Sequence, residues 1–236
     1  MIFKDNDERE KDEFSQMKKN SVNSSNQLKE TDFVTFTNLE GDGKRIMFVG
    51  NSITLHGIKH DIGWHNKWGM AASAKENDYV HRLMAEFDEM YDNPAYCVCQ
   101  VASWERVYKE GSTVHEYYEN ARAFDADIII TRFIENCPSD NFDSKVFKEE
   151  YGKLIDYLNK SGKAQVIITT GFWKHPGDDA ICEYAKENNL PCAYLGDLGE
   201  LDEMKAIGLF EHGGVANHPG DLGMEKIAER IRKLIN

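Results

Sequence analysis

A three-layer α/β/α fold follows from three observations on the 236-residue sequence. From residue 45 onward, short apolar runs alternate with segments of helical periodicity, the pattern that right-handed βαβ units produce. The run ADIIITRF (126–133) is apolar throughout its centre, as a parallel strand covered on both faces must be. A hydrophobic fraction of 41% is enough for one sizeable core, and the length fits one such domain plus an extension.

RIMFV (45–49) is a run of strand formers closed by a glycine. NDYVHRLMAEFDEMY (77–91) places Val80, Leu83, Met84, Phe87, Met90 and Tyr91 on one helical face behind an Asn77 or Asp78 cap. AYCVCQV (95–101) is the second strand, followed by a helical TVHEYYENARAF (113–124). ADIIITRF is the third strand, and a helix over 143–161 turns Phe147, Tyr151, Leu154, Ile155 and Leu158 inward. AQVIITTG (164–171) is the fourth strand, DDAICEYAKENN a helix, and PCAYLG (191–196) the fifth strand. The last helix, DLGMEKIAERIRKLI (221–235), carries Met224, Ile227, Ala228, Ile231, Leu234 and Ile235 as its apolar stripe.

Residues 1–31 are polar, with a Ser/Asn-rich patch NSVNSSNQ, and are predicted to form an extension outside a domain spanning 32–236. DFVTFTN (32–38) adds either a short edge strand or a strap.

Lys and Arg total 28 against 41 for Asp and Glu, a net charge of −13 that argues against a nucleic-acid backbone or an anionic membrane as partner. No stretch approaches the ~18 apolar residues of a membrane span. The start, MIFKDNDEREKDEF, has no apolar core or cleavage site of a secretion signal, so a cytoplasmic location is expected. The five cysteines are odd in number and match no zinc spacing, which favours free buried thiols in a reducing compartment. Homo-oligomerisation stays open.

In an open α/β sheet, ligands bind beyond the carboxyl ends of the strands. Gly50-Asn51-Ser52 follows the first strand, Trp104-Glu105 the second, Glu135-Asn136 the third and Trp173-Lys174-His175 the fourth; His218 precedes the last helix. A serine, an asparagine and two histidines thus converge on one edge, a set suited to acyl transfer. An imidazole activates the hydroxyl, and amide donors hold the oxyanion.

FVGNSIT (48–54) resembles the first signature block of the SGNH, or GDSL-like, hydrolases, with Asn51 where Asp is usual. RFIEN (132–136) is similar to the third block and HPGDLGMEKIA (218–228) to the final one, and the likeness spans about residues 45–235. The resemblance implies a flavodoxin-like sheet of five parallel strands in the order 2-1-3-4-5. It also implies Ser52 as nucleophile and His218 as general base, and leaves His175 without a matching role. The oxyanion would be held by the N–H groups of Ser52 and Glu105 and by the Asn136 side chain. No metal or organic cofactor is implied.

Two departures stand out. Val215 occupies the place, three residues before the His, where the family has Asp; a carbonyl within GGVAN, Glu211 or Glu135 would then orient the ring. Glu105 stands where the second block has a Gly, about five residues past its strand.

The stretch LHGIKHDIGWHNKWGM (55–70) follows the serine. His56, His60 and His65 lack the accompanying acids or cysteines of a metal site. Trp64 and Trp68, together with Trp104 and Trp173, either offer flat faces to a sugar ring or pack loops onto the domain. Arg132 and Glu135 form an ion pair bracing the Asn136 loop, with substrate contact by Arg132 the lesser use.

The expected activity is that of a serine esterase acting through an acyl-serine on small acyl, above all acetyl, esters of carbohydrates or other small molecules. A lipid acylhydrolase, an acyltransferase or a non-catalytic sugar-binding protein on the same scaffold are the alternatives.

Overall fold

The computed structural model describes residues 28–235, so the N-terminal extension lies outside the described residues apart from 28–31. Six strands form one sheet: β1 (Val34–Thr37), β2 (Arg45–Gly50), β3 (Ala95–Gln100), β4 (Ile128–Arg132), β5 (Gln165–Thr169) and β6 (Cys192–Ala193). Their spatial order is β1-β3-β2-β4-β5-β6. All neighbours run parallel except β1, which pairs antiparallel with β3, Val34 opposite Cys99. The expectation of five strands is therefore corrected to six. DFVTFTN alternates, buries Val34 and lies along the otherwise free edge of β3.

The fifth predicted strand, PCAYLG, shrinks to the two residues of β6. The ladder stops because Leu195 N–H donates to Thr170 Oγ1 at 2.8 Å, while Tyr194 turns outward.

Seven α-helices are present among the described residues: α1 (Tyr79–Met90), α2 (Ala102–Arg106), α3 (Glu119–Phe124), α4 (Ser144–Leu158), α5 (Asp178–Glu187), α6 (Gly213–Ala216) and α7 (Asp221–Arg232). Asp78 caps α1 by accepting from His81 N–H at 2.8 Å, and Asp143 caps α4 by accepting from Val146 N–H at 3.0 Å. The helix predicted over 113–124 is α-helical only in α3; before it the chain winds as 3₁₀-helix over Tyr108–Tyr118. There Ser112 donates from both N–H and Oγ to Glu150 of α4, and a kink at Glu110 interrupts the regular ladder.

Alternation along each strand sorts the side chains into two layers of core. Met47, Val49, Cys97 and Ile129 face α3, α4 and α5, joining Phe124, Phe147, Tyr151 and Ile181. Ile46, Phe48, Val98 and Ile130 face α1 and α7, joining Leu83, Phe87, Ile227 and Ile231. Trp64, Met70, Ala71, Ala206 and Val215 form a third, smaller cluster. It fastens the long loop after Ser52 to the chain ahead of α7.

All five cysteines are free; Cys97, Cys99 and Cys137 are buried, and burial pushes their thiols well up. No helix among the described residues is long and apolar enough to cross a membrane.

The register decides where chemistry can occur. Gly50 lies beside both Gln100 and Arg132, so β2, β3 and β4 end level. The residues that follow all enter one crevice.

Candidate active site

Ser52 sits in the turn that β2 enters at Gly50. A Cβ on Gly50 would lie 1.8 Å from Thr54 Oγ1 and 2.9 Å from the Arg132 carbonyl, which is why only glycine fits here. The Asn51 carbonyl accepts from Thr54 N–H and Leu55 N–H, both at 2.9 Å, and locks the turn. Ser52 N–H has no partner among the described residues.

His218 reaches the same point from the far end of the chain. Its N–H donates to the Val215 carbonyl at 2.9 Å, and its own carbonyl accepts from Ala206 N–H at 2.9 Å. The ring places Nε2 2.8 Å from Ser52 Oγ and Nδ1 2.7 Å from the Gly214 carbonyl. A carbonyl only accepts, so the hydrogen resides on Nδ1 and Nε2 is left as an acceptor for the serine hydroxyl. Of the orienting groups left open above, the structure contains a carbonyl of GGVAN; Glu211 is exposed. Burial lowers the His218 imidazole to about 4, outweighing the Gly214 bond that raises it, so the ring is neutral near pH 7. Trp173 meets the ring edge-on, with centroids 5.3 Å apart and planes at 86°.

Beneath this pair lies a buried polar network. Arg132 Nη1 donates to Glu135 Oε1 at 2.6 Å, and Nη2 donates to Glu135 Oε2 at 2.9 Å and to Asn51 Oδ1 at 2.5 Å. Asn51 Nδ2 donates to Glu135 Oε2 at 2.6 Å and to Glu105 Oε1 at 3.0 Å. Glu105 also accepts from Asn136, from Nδ2 at 2.7 Å and from the backbone N–H at 3.2 Å. Phe172 N–H donates to Glu135 Oε1 at 2.7 Å, bringing in the loop after β5. Burial pushes the Glu105 carboxyl up to about 7, with the Glu135 charge adding to it. Burial acts the same way on Glu135, but the Arg132 charge and hydrogen bonds overcome it and hold that carboxyl below its ordinary value.

The predicted residues fall into three groups. Ser52, His218 and Asn136 meet at one cavity of about 210 Å³. Glu105 is beside it, but its N–H donates to the Val101 carbonyl at 3.1 Å within α2 and is not available to an oxyanion. What Glu105 contributes is its carboxylate. None of the four tryptophans expected to contact substrate lines the cavity, and only Trp173, edge-on to the His218 ring, lies beside it. Trp64 and Trp104 are fully buried, Trp64 in the small cluster and Trp104 against Phe133, Phe147 and Tyr151. Trp68 is half-buried against Trp64, its Nε1 donating to the Ala72 carbonyl at 3.0 Å. Arg132 is fully buried in its ion pair and does not line this cavity, so the substrate contact expected of it has no support here.

His175 stands apart. Its Nδ1 accepts from Gly177 N–H at 3.0 Å and its Nε2 donates to the Cys137 carbonyl at 3.1 Å, so both nitrogens brace its own loop. His60 and His65 pair with each other through their Nδ1 atoms at 2.7 Å.

Sequence reasoning missed Gln100, Arg106 and His212 in the cavity wall. Gln100 ends β3 and Arg106 ends α2, so the strand-end rule could have found both. Nothing in the sequence marks His212, which caps α6 by accepting from Val215 N–H at 3.3 Å.

No protein-family model and no curated protein matches the sequence. Solved structures do match in shape. The esterase EstA from Pseudoalteromonas sp. is 11% identical over 81% of this chain and 96% of its own, with a TM-score of 0.50. The acetyl xylan esterase AlAXEase is 16% identical over 81% of this chain and all (100%) of its own, at a TM-score of 0.51. The two-domain esterase CEX, active on acetylated mannans, is 15% identical over 81% of this chain at a TM-score of 0.53; this chain spans about half of it, 48%. Identities this low speak to architecture alone, and on that level the chain shares the three-layer α/β fold of these esterases.

Proposed function

We propose that the protein is a serine esterase for small acyl esters, with Ser52 as nucleophile and His218 as general base. One observation carries this reading: Ser52 Oγ lies 2.8 Å from a His218 Nε2 whose other nitrogen is tied to a carbonyl. His218 takes the hydroxyl proton as Ser52 Oγ attacks the ester carbonyl. The Gly214 carbonyl holds the ring and stabilises the imidazolium that forms, the part an acid usually plays. Ser52 N–H and the second amide hydrogen of Asn136 hold the oxyanion. His218 then protonates the departing alcohol, leaving an acyl-serine. Water, deprotonated by the same ring, repeats the attack and releases the acid.

A cavity of about 210 Å³ suits an acetyl group with a small alcohol. The polar wall of Gln100, Asn136 and His212 is compatible with a hydroxyl-rich alcohol such as a carbohydrate, the class on which the similar acetyl xylan and mannan esterases are named as acting.

Hydrolysis of p-nitrophenyl acetate by the protein, abolished in Ser52→Ala and His218→Ala and retained in His175→Ala, is the expected result. Equal background rates in the protein and in Ser52→Ala would overturn the reading.

A further inference from the structure

The cavity in front of Ser52 combines an apolar part, Ile62, Met70, Ala102 and Val215, with polar side chains that mostly offer hydrogen-bond donors. Arg106 is exposed in that wall and makes no ion pair or hydrogen bond among the described residues. Gln100 Oε1 accepts from Ala102 N–H at 2.9 Å, so what the side chain has left to offer is its NH₂. His212 Nδ1 accepts from Val215 N–H at 3.3 Å, which puts the ring hydrogen of the neutral form on Nε2. Asn136 adds an amide hydrogen. On the accepting side, His56 donates from Nδ1 to the Gly57 carbonyl at 2.6 Å and keeps a bare Nε2. No carboxylate is among the described residues that line the cavity, although acids outnumber bases 41 to 28 in the chain.

Such a wall is complementary to a ligand that brings acceptors and a negative charge. An unpaired guanidinium meets a carboxylate through two parallel N–H···O bonds, a geometry no other side chain supplies as well. We infer that the pocket selects acetyl esters whose alcohol portion carries a carboxylate, and that Arg106 is the residue that reads it. The inference rests on the Ser52–His218 reading above and adds the substrate class to it.

The test compares para-acetoxybenzoate with its neutral methyl ester; the para carboxylate is too far from the acetyl group to assist its own hydrolysis. The ratio of kcat/KM, acid over methyl ester, should be about tenfold at low salt, the size of a charge-assisted contact. It should shrink with added NaCl. Arg106→Gln should bring the ratio close to one, and Arg106→Lys should restore part of it. A ratio of one or less in the unaltered protein, or a ratio unmoved by Arg106→Gln, would overturn the inference.

Calorimetric titration of Ser52→Ala with the same two compounds reads the preference without turnover. Tighter binding of the acid, lost in Ser52→Ala/Arg106→Gln, supports anion selection; equal binding of the two overturns it. If neither ester is hydrolysed while the acid still binds preferentially, the esterase reading fails and the anion site stands. If both are hydrolysed without preference, only the anion site fails.

Discussion

Glu105 and Glu135 meet at a single atom: Asn51 Nδ2 donates to both, at 3.0 and 2.6 Å. Only one of the two acids has a guanidinium beside it, since Arg132 bonds Glu135 and not Glu105. The amide of Asn51 therefore does what an Asp could not. It separates two buried carboxylates while its Oδ1 accepts from Arg132. Asn51→Asp would place a third acid in the cluster and remove both donations. With three acids then sharing the single Arg132 guanidinium, a drop in Tm of roughly 10 °C is expected from the excess buried charge. The drop should be larger at pH 8 than at pH 6, and thermal scans showing no loss would contradict the network's role.

Glu105 acts on the site through Asn136, whose Nδ2 it holds at 2.7 Å. In Glu105→Gln one amide hydrogen must face a donor whichever way the side chain turns, because Asn51 Nδ2, Asn136 N–H and Asn136 Nδ2 all donate to it. The Asn136 amide should then swing away. Kinetics on p-nitrophenyl acetate should show kcat falling by about a hundredfold, the scale of one lost oxyanion donor, with KM little changed. A change in KM alone would argue against a positioning role.

Two groups set the pH dependence, with opposite signs. Burial holds His218 at about 4 instead of the ordinary 6.5, so the base is present at neutral pH and turnover is lost as pH falls through about 4. Its contribution to stability is full above 6.5 and disappears as pH falls towards 4. Glu105 is raised from 4.5 to about 7, so its contribution is full below 4.5 and disappears as pH rises through 7. Tm measured against pH should bend on both sides, with His218→Asn flattening the acid side and Glu105→Gln the alkaline side. If both variants keep the unaltered curve, these two groups are not its source.

The histidine is oriented by a main-chain atom, so side-chain acids nearby should be dispensable. Glu211→Gln should leave turnover within about twofold, the scatter expected of surface changes. Val215→Asp, which installs the acid that the SGNH resemblance leads one to expect there, should not help. Val215 is fully buried with Trp64, Met70 and Ala206, and a carboxylate there would have no partner. A lower Tm and lower activity are expected together; a gain in kcat would refute the carbonyl's sufficiency.

Most strands were legible because a buried parallel strand leaves an unbroken apolar run, as in β4 and β5. β1 was ambiguous, since only Val34 of its four residues is buried. α2 and the 3₁₀ run escaped notice because they are held by distant partners: the Tyr118 hydroxyl accepts from Trp104 N–H, and Glu150 accepts from Ser112. Ser52, Asn136 and His218 could be found by their place after strands and before the last helix. The Gly214 carbonyl could not, because a backbone acceptor has no letter. The tryptophans misled for a related reason. Whether a loop indole is a binding face or a packing surface depends on what closes over it, and Trp64 is closed over by Ala206 and Val215, far along the chain.

The ionic ties also divide the pocket into unequal halves. Asn51, Glu105, Arg132, Glu135 and Phe172 N–H rivet together the segments leaving β2, β3, β4 and β5, so that side cannot yield without unpairing charge. The facing side, from Lys205 to Gly214, is clasped mainly by apolar contact and two backbone bonds to His218, and it carries Ile207 and Leu209 out into solvent. A bulky ester would gain entry by lifting that jaw away from a fixed anvil. Amide exchange should be fast along the jaw and slow beneath Asn51, with the His218 ring the joint between them.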